Sequence, residues 1–377
     1  MEFKGLKREY ELIGAEINGH VQKVIANGNF ILGDDVVQLE NTLASYVGVR
    51  HCISCANGTD GLMLALMAIG LSHGDAVFVP DFSYIATASS VSILGGTPVF
   101  VDIQRDTFNM SPASLEEAIC RAIGANYKCK AIIAVDLFGL PADYMKIRAI
   151  ADWYHLPIIE DGAQGFGGKF GAQRACSFGD IGVTSFFPAK PLGAYGDGGA
   201  IFTDNDILAD KIRSLRNHGR SESDKYYNIY LGFNSRLDTI QAAVLLEKFK
   251  IFDELELTAV NRAADLYNFE LRNVVEIPNV PTGFYSAWAQ YTIMLRSSHE
   301  RSQLKEYLLS QNIPSCIYYD RPLHMQPALK DASVIVDLKW SQYAAERVLS
   351  LPIHAFMKRE ELDMVTNTVK AFFGEQR

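Results

Sequence analysis

Short apolar runs recur along the first two hundred positions of the chain. They are HCISCA (51–56), AVFVP (76–80), TPVFVD (97–102), AIIAVD (131–136), LPIIED (156–161), IGVTSF (181–186) and GAIFT (199–203). Each is apolar along its length rather than at alternate positions, which is the pattern of a strand buried on both faces. Between them, stretches near 59–69, 84–93, 112–123 and 142–154 have helical periodicity. This alternation predicts an α/β fold with a mostly parallel central sheet and helices on both faces. Helical patterning resumes at about 205–217 and runs long from about 236 to 271. SAWAQYTIMLR (286–296) predicts a strand, RSQLKEYLLSQN (301–312) a helix, and a last helix starts at about 359. The change of pattern predicts a smaller C-terminal α+β domain. We divide the chain into a large domain, 1–250, and a small one, 251–377.

Composition narrows the function classes. The chain has 377 residues, 48% hydrophobic and 21% charged, as in ordinary globular proteins. Its net charge of −9 argues against a nucleic-acid-binding or general polyphosphate-binding surface. A small anionic substrate needs only a few local cations. No apolar run reaches about 18 residues, so no membrane-spanning helix is expected. MEFKGLKREYELIGAEI has no apolar core of signal-peptide length, and we read the protein as cytoplasmic. Six cysteines lack regular spacing, as expected of reduced thiols. Cys52 and Cys55 form one C-x-x-C. A zinc site would need a second ligand pair, and none is nearby. A redox pair remains open, but two small residues on a buried strand is the better reading.

Ligands of parallel sheets sit beyond the carboxyl ends of the strands, so the residues after each run carry the chemistry. After the first run, Asn57-Gly58-Thr59 turns into a helix, whose start is a ready anion site. Taken alone, Asn57 or Thr59 reads better as a simple N-cap. Tyr84 follows the second run and could stack on a planar ligand; alone, it reads as a core tyrosine. Asp161 ends the fifth run. A carboxylate in such surroundings needs a partner, either a helix start or a protonated ring nitrogen. Gln164 lies three residues on. Lys190 follows the sixth run within FFPAKPLGAYGDGG, a segment that looks built for burial. Desolvation favours the neutral amine, the nucleophile that a Schiff base requires. Alone, a lysine with its head in water would be the ordinary reading. Together, the lysine, aspartate, helix start and aromatic describe one ligand, pyridoxal 5′-phosphate.

The motifs SCANGTDGL, EDGAQGFG, SFFPAKPLGAYGDGGAIFT, NSRLDTIQAA and PLHMQPAL, with GNFILG (28–33) and LSLPIH (349–354), span nearly the whole chain. With them the sequence resembles the DegT-type nucleotide-sugar aminotransferases, a branch of the fold-type I PLP enzymes. It is most similar to members that aminate a 3-keto UDP-linked N-acetylhexosamine uronate for bacterial surface polysaccharide. The resemblance implies that Lys190 forms the Schiff base and then moves protons. It places Asp161 on the pyridine nitrogen, Gln164 on the phenolic oxygen and Tyr84 against the ring. Gly58, Thr59 and Ser185 would hold the phosphate. It also implies a homodimer, with Asn234 reaching the phosphate in the neighbouring subunit and His218 and Arg236 lining the sugar site. L-glutamate is the implied donor.

The sequence departs from the family pattern in the run Ile317-Tyr318-Tyr319-Asp320-Arg321, where relatives often carry V-H-Y-P. Tyr318 occupies the histidine position, which touches substrate in relatives, so Tyr318 and Tyr319 are expected at the substrate. Arg321 is an added cation that contacts an anionic group or faces water. Amination at C4 of a 4-keto-6-deoxy sugar stays open as an alternative. A sugar dehydratase of this fold would replace the lysine with histidine, and Lys190 argues against that. A non-catalytic regulatory homologue would not need the intact lysine–aspartate set.

Overall fold

The seven apolar runs pair into one sheet. The computed structural model describes residues 1–224 and 226–374. Its central strands are β1 (His51–Cys55), β2 (Asp75–Pro80), β3 (Thr97–Val101), β4 (Lys128–Val135), β5 (Ile158–Asp161), β6 (Ile181–Ser185) and β7 (Gly199–Thr203). Their order across the sheet is β3-β2-β4-β5-β6-β7-β1. The pairs from β3 through β6 are parallel. β7 is antiparallel to both its neighbours, β6 and β1. Every residue of β2, β5 and β7 is buried, which accounts for runs apolar throughout.

Two helices that the strand–helix alternation did not announce, α1 (Leu6–Asn27) and α2 (Asp34–Val47), precede the sheet. Between and after the strands come α3 (Gly58–Ala68), α4 (Ala86–Ile93), α5 (Pro112–Gly124), α6 (Tyr144–Trp153) and α7 (Asp206–Leu215). Local chemistry sets their starts. Asn205 accepts from the N–H groups of Ile207 and Leu208 at 3.0 and 3.1 Å, capping α7. Ser111 caps α5, with Pro112 in the first turn.

The single long helix expected over 236–271 is two helices. α8 (Thr239–Ile251) and α9 (Leu257–Leu271) are joined by a π-helical turn, Phe252–Glu256. The extra residue of a π turn lets Phe252 enter the core, where its ring lies 5.6 Å from that of Phe166. α8 is buried at every position from Ala242 to Lys248. Ile13 and Ile17 of α1 pack on its Val244.

From α9 onward most apolar residues build a separate cluster, while Leu323, Leu329, Val336 and Leu338 return to the core of the central sheet. The separate cluster contains α10 (Ser298–Ser310), α12 (Arg359–Gly374) and the antiparallel pair β8 (Tyr291–Met294) and β9 (Val348–Leu351), with α11 (Lys339–Arg347) alongside. The strand expected over 286–296 is shorter, because Ala287–Ala289 lie against Gly139 instead. Ala287 N–H donates to Gly139 O at 2.8 Å. Gly139 has φ +107°, and a Cβ there would sit 2.5 Å from Trp288 N, so the close approach requires glycine.

No helix among the described residues is long and apolar enough to cross a membrane. Cys52 and Cys55 are both buried on β1. Burial pushes both thiols up, Cys55 to about 12, which disfavours the thiolate.

Candidate active site

Three strand ends meet at one place. Gly199, the first residue of β7, pairs with Cys55 at the end of β1 and with Ser185 at the end of β6. A Cβ on Gly199 would stand 2.7 Å from the backbone of Asn57, and one on Gly58 2.8 Å from Ser185 Cβ. The two glycines therefore let the start of α3 settle onto the strand ends. Asn57 is the cap, its side chain accepting from Asp60 N–H at 2.9 Å; Thr59 is not. Among the described residues the N–H groups of Gly58 and Thr59 have no acceptor. Free first-turn donors and the helix dipole, with the Ser185 hydroxyl adjacent, suit a phosphate.

Asp161 ends β5 and is 5% exposed. Thr87, on α4, donates its hydroxyl to Asp161 Oδ2 at 2.8 Å, and Ala163 N–H reaches Oδ1 at 3.3 Å. Burial still lifts the carboxyl above its ordinary range, against the pull of Thr87, Lys190 and Ala163. Burial lowers the Lys190 ammonium in turn, and Asp161 opposes it. The pair thus offers a poorly solvated amine and a carboxylate short of positive charge. A protonated ring nitrogen would supply that charge, so this donor set fits pyridoxal 5′-phosphate.

Gln164 is buried and spoken for at both ends. Its Oε1 accepts from Phe138 N–H at 2.8 Å, and its Nε2 donates to the Tyr319 hydroxyl at 3.0 Å. The second amide hydrogen remains for a ligand. Tyr319 lies edge-on to Phe82, with centroids 6.0 Å apart, and 6.3 Å from Tyr84. Tyr84 is 55% exposed, so the reading of a core tyrosine fails and its ring is available to a planar ligand. Tyr318 packs on Phe3 of the N-terminal segment. Arg321 is exposed. His324, from the PLH motif, bonds buried Asp81 through its backbone N–H at 2.8 Å and its Nδ1 at 2.7 Å. That pair ties the loop carrying Tyr319 to the residue after β2.

The remaining candidates form a second strip. Asn217 and Asn234 bridge as antiparallel partners, and His218 N–H donates to Phe233 O at 3.1 Å. Asn234 and His218 are exposed. Arg236 donates to Asn217 Oδ1 at 3.1 Å, while its buried Nε has no partner among the described residues. Ser235 fixes the strip near α3 by accepting from Ala56 N–H at 3.1 Å. Among the described residues no hydrogen bond joins Asn234, His218 or Arg236 to Lys190, Asp161, Gln164 or Tyr319.

The lysine segment is not buried throughout, contrary to its sequence pattern. Phe186 is fully buried, but Phe187 and Tyr195 are exposed, as are Tyr227, Ile229 and Leu231 of the loop beyond His218. Sequence reasoning also passed over Thr87. It sits in the small-residue run ATASS, where nothing marks one hydroxyl from the next.

The sequence pattern of the DegT/DnrJ/EryC1/StrS aminotransferase family matches residues 11–370. A UDP-2-acetamido-2-deoxy-3-oxo-D-glucuronate aminotransferase of Pseudomonas aeruginosa is 42% identical over 366 residues, 97% of this chain and 98% of that protein. A solved DegT DnrJ EryC1 StrS aminotransferase from Brucella abortus superposes with a TM-score of 0.97 at 47% identity, covering 99% of this chain and 100% of that one. NtdA of Bacillus subtilis, solved with bound cofactor PMP, superposes with a TM-score of 0.90 at 31% identity, covering 99% of this chain and 85% of that one.

Proposed function

The chain belongs to the DegT/DnrJ/EryC1/StrS aminotransferase family, whose cofactor is pyridoxal 5′-phosphate, and from that premise we propose its reaction. The enzyme moves the amino group of L-glutamate to C3 of a UDP-linked 3-keto N-acetylhexosamine uronate. The product is a 3-amino sugar nucleotide for bacterial surface polysaccharide, made in the cytoplasm. The likeness to the Pseudomonas aeruginosa enzyme supports the choice of sugar and carbon. The observation that carries the reading is the electrostatic interaction of buried Lys190 and Asp161, with the free start of α3 packed on Ser185 of the strand next to that of Asp161.

Bound there, the cofactor supplies an electrophilic carbon and an electron sink. Lys190 Nζ would hold the cofactor covalently and would carry the proton between the donor's α-carbon and the cofactor. The same amine runs the reverse transfer on the sugar, so one residue serves both halves. Asp161 keeps a proton on the ring nitrogen, and Thr87 holds Asp161 in place. Gln164 directs its spare amide hydrogen to the phenolic oxygen. Gly58 N–H, Thr59 N–H and the Ser185 hydroxyl bind the phosphate, and Tyr84 covers the ring. His218, Arg236, Tyr318 and Tyr319 bind the sugar nucleotide.

The working unit is a homodimer in which Asn234 reaches the phosphate held by the partner subunit. Exposed Phe187, Tyr195, Tyr227, Ile229 and Leu231 support a buried partner surface there. Residues 1–250 serve as the cofactor-binding domain and 251–377 as the smaller domain over it.

A substrate panel tests the reading. Holoenzyme with L-glutamate is offered UDP-linked 3-keto sugars and dTDP- or UDP-linked 4-keto sugars, and release of 2-oxoglutarate is followed. Turnover of the 3-keto uronate is expected. Turnover of 4-keto sugars alone would move the reaction to C4, and turnover of none would remove the activity.

A further inference from the structure

The N-terminal segment brings a second amine toward Lys190, and none of the roles above uses it. Phe3 packs on Tyr318 with centroids 6.3 Å apart. Gly5 lies on the ring of His354, where a Cβ would come within 2.5 Å of Nδ1. Arg8 fastens the segment, donating to Phe356 O at 2.8 Å and to both carboxylate oxygens of Glu361 at 2.5 and 2.6 Å. Between these anchors Lys4 donates to the backbone carbonyl of Ala289. Lys4, Lys190, Trp288 and His354 line one cleft. Among the described residues no carboxylate pairs with Lys4. Burial and the nearby Lys190 pull its ammonium down to about 8, so it stays mostly cationic at pH 7.

His354 contributes the second feature. It is 7% exposed, and its Nδ1 accepts from Phe356 N–H at 3.2 Å. In the neutral ring the hydrogen is therefore on Nε2. Burial, with Arg8 and Lys4 close by, lowers its pKa to about 4 and keeps the ring neutral. Among the described residues that buried Nε2 has no hydrogen-bond partner. Neither acid of the cleft pairs with Lys4. Glu9 pairs with Lys248 at 2.9 Å, and burial and Glu9 push Glu256 up to about 8, so it is largely protonated. The cleft thus holds an ammonium without a counter-ion and a ring N–H without an acceptor, beside the reacting amine.

We propose that Lys4 and His354 form a carboxylate-binding subsite that holds a substrate carboxylate next to Lys190. The inference rests on the transaminase reading of this site and names the group that its substrates must present. L-glutamate and a uronate sugar both carry one. Lys4 supplies the charge and His354 a directed N–H, a combination that favours substrates with a carboxylate over those without.

Glutarate probes the subsite, since it has the carboxylates of glutamate and no amine to react. Its dissociation constant for the holoenzyme is measured by competition against L-glutamate. In Lys4→Met we expect a rise of about tenfold or more, the size of one lost charge-assisted hydrogen bond. Lys4→Arg should restore most of the affinity, and His354→Phe should cost a few-fold. Half-reactions run separately identify the carboxylate. A KM rise confined to L-glutamate marks the donor; a rise confined to the keto-uronate, absent with a keto sugar lacking the carboxylate, marks the acceptor. Equal glutarate constants in wild type and Lys4→Met, no saturable glutarate binding by wild type, or a KM rise in neither half-reaction would overturn the subsite. Lys4-dependent glutarate binding in an enzyme that aminates no keto sugar would instead overturn the substrate assignment and leave the subsite standing.

Discussion

Asp161 is where stability without the cofactor and function with it pull apart. Asp161→Asn keeps the side-chain shape and an acceptor for the Thr87 hydroxyl at 2.8 Å, but removes the charge. In the cofactor-free protein that charge is unfavourable, because burial raises the carboxyl more than Thr87, Lys190 and Ala163 together lower it. A carboxyl raised on folding contributes stability below the ordinary carboxylate range and loses it as pH climbs through the raised value. Each unit of elevation is worth about 1.4 kcal/mol. Asparagine carries no such dependence. It does set an amide N–H₂ near Ala163 N–H, a pH-independent cost of about 1 kcal/mol. The stability of Asp161→Asn relative to wild type should therefore rise as pH climbs from the ordinary carboxylate range through the raised value, and level off above it. With cofactor the sign reverses, since the ring nitrogen loses its ionic partner. A charged hydrogen bond of about 3 kcal/mol corresponds to roughly a hundredfold in affinity. Urea unfolding of the cofactor-free proteins at several pH values, with a cofactor titration of each, measures both effects. A pH-independent stability difference together with unchanged cofactor affinity would refute the reasoning.

Much of this site was legible because strands apolar along their whole length announce a covered parallel sheet, and such sheets bind at their carboxyl ends. That logic leads directly to Asp161 and Lys190, while Ser185 was named only through the family resemblance. It also finds Gly58, although there the sequence pattern does not separate a cap from an anion site. In the structure Asn57 is the cap and Gly58 packs against Ser185. Other parts were hidden for a physical reason. Thr87 meets Asp161 across 74 positions of sequence, and Lys4 meets Ala289 across 285, so only the topology brings them together. Tyr84 looked like a core residue because an aromatic in an apolar context usually is one. The break between α8 and α9 was invisible because a π turn preserves helical hydrophobicity while shifting its phase.

Two further results are expected. Gly58→Ala places a Cβ 2.8 Å from Ser185 Cβ, which forces the start of α3 off the strand ends. We expect a loss of about 1–3 kcal/mol in stability and a smaller rise in melting temperature on adding cofactor; an unchanged rise would remove Gly58 from the phosphate site. Asn234→Ala changes an exposed side chain, so the protomer should unfold within about 0.5 kcal/mol of wild type. Mixed with Lys190→Ala it should form hybrid dimers with one intact site each, so activity recovers above the sum of the two variants; no recovery under exchange would contradict the shared site.

The most direct measurement follows the nitrogen itself. Holoenzyme is given ¹⁵N-labelled L-glutamate and the UDP-linked 3-keto uronate, and NMR locates the label in the product. The account predicts ¹⁵N bonded to C3 of the sugar with wild type and none with Lys190→Ala. Label at another carbon, or label at C3 with Lys190→Ala at the wild-type rate, would contradict it.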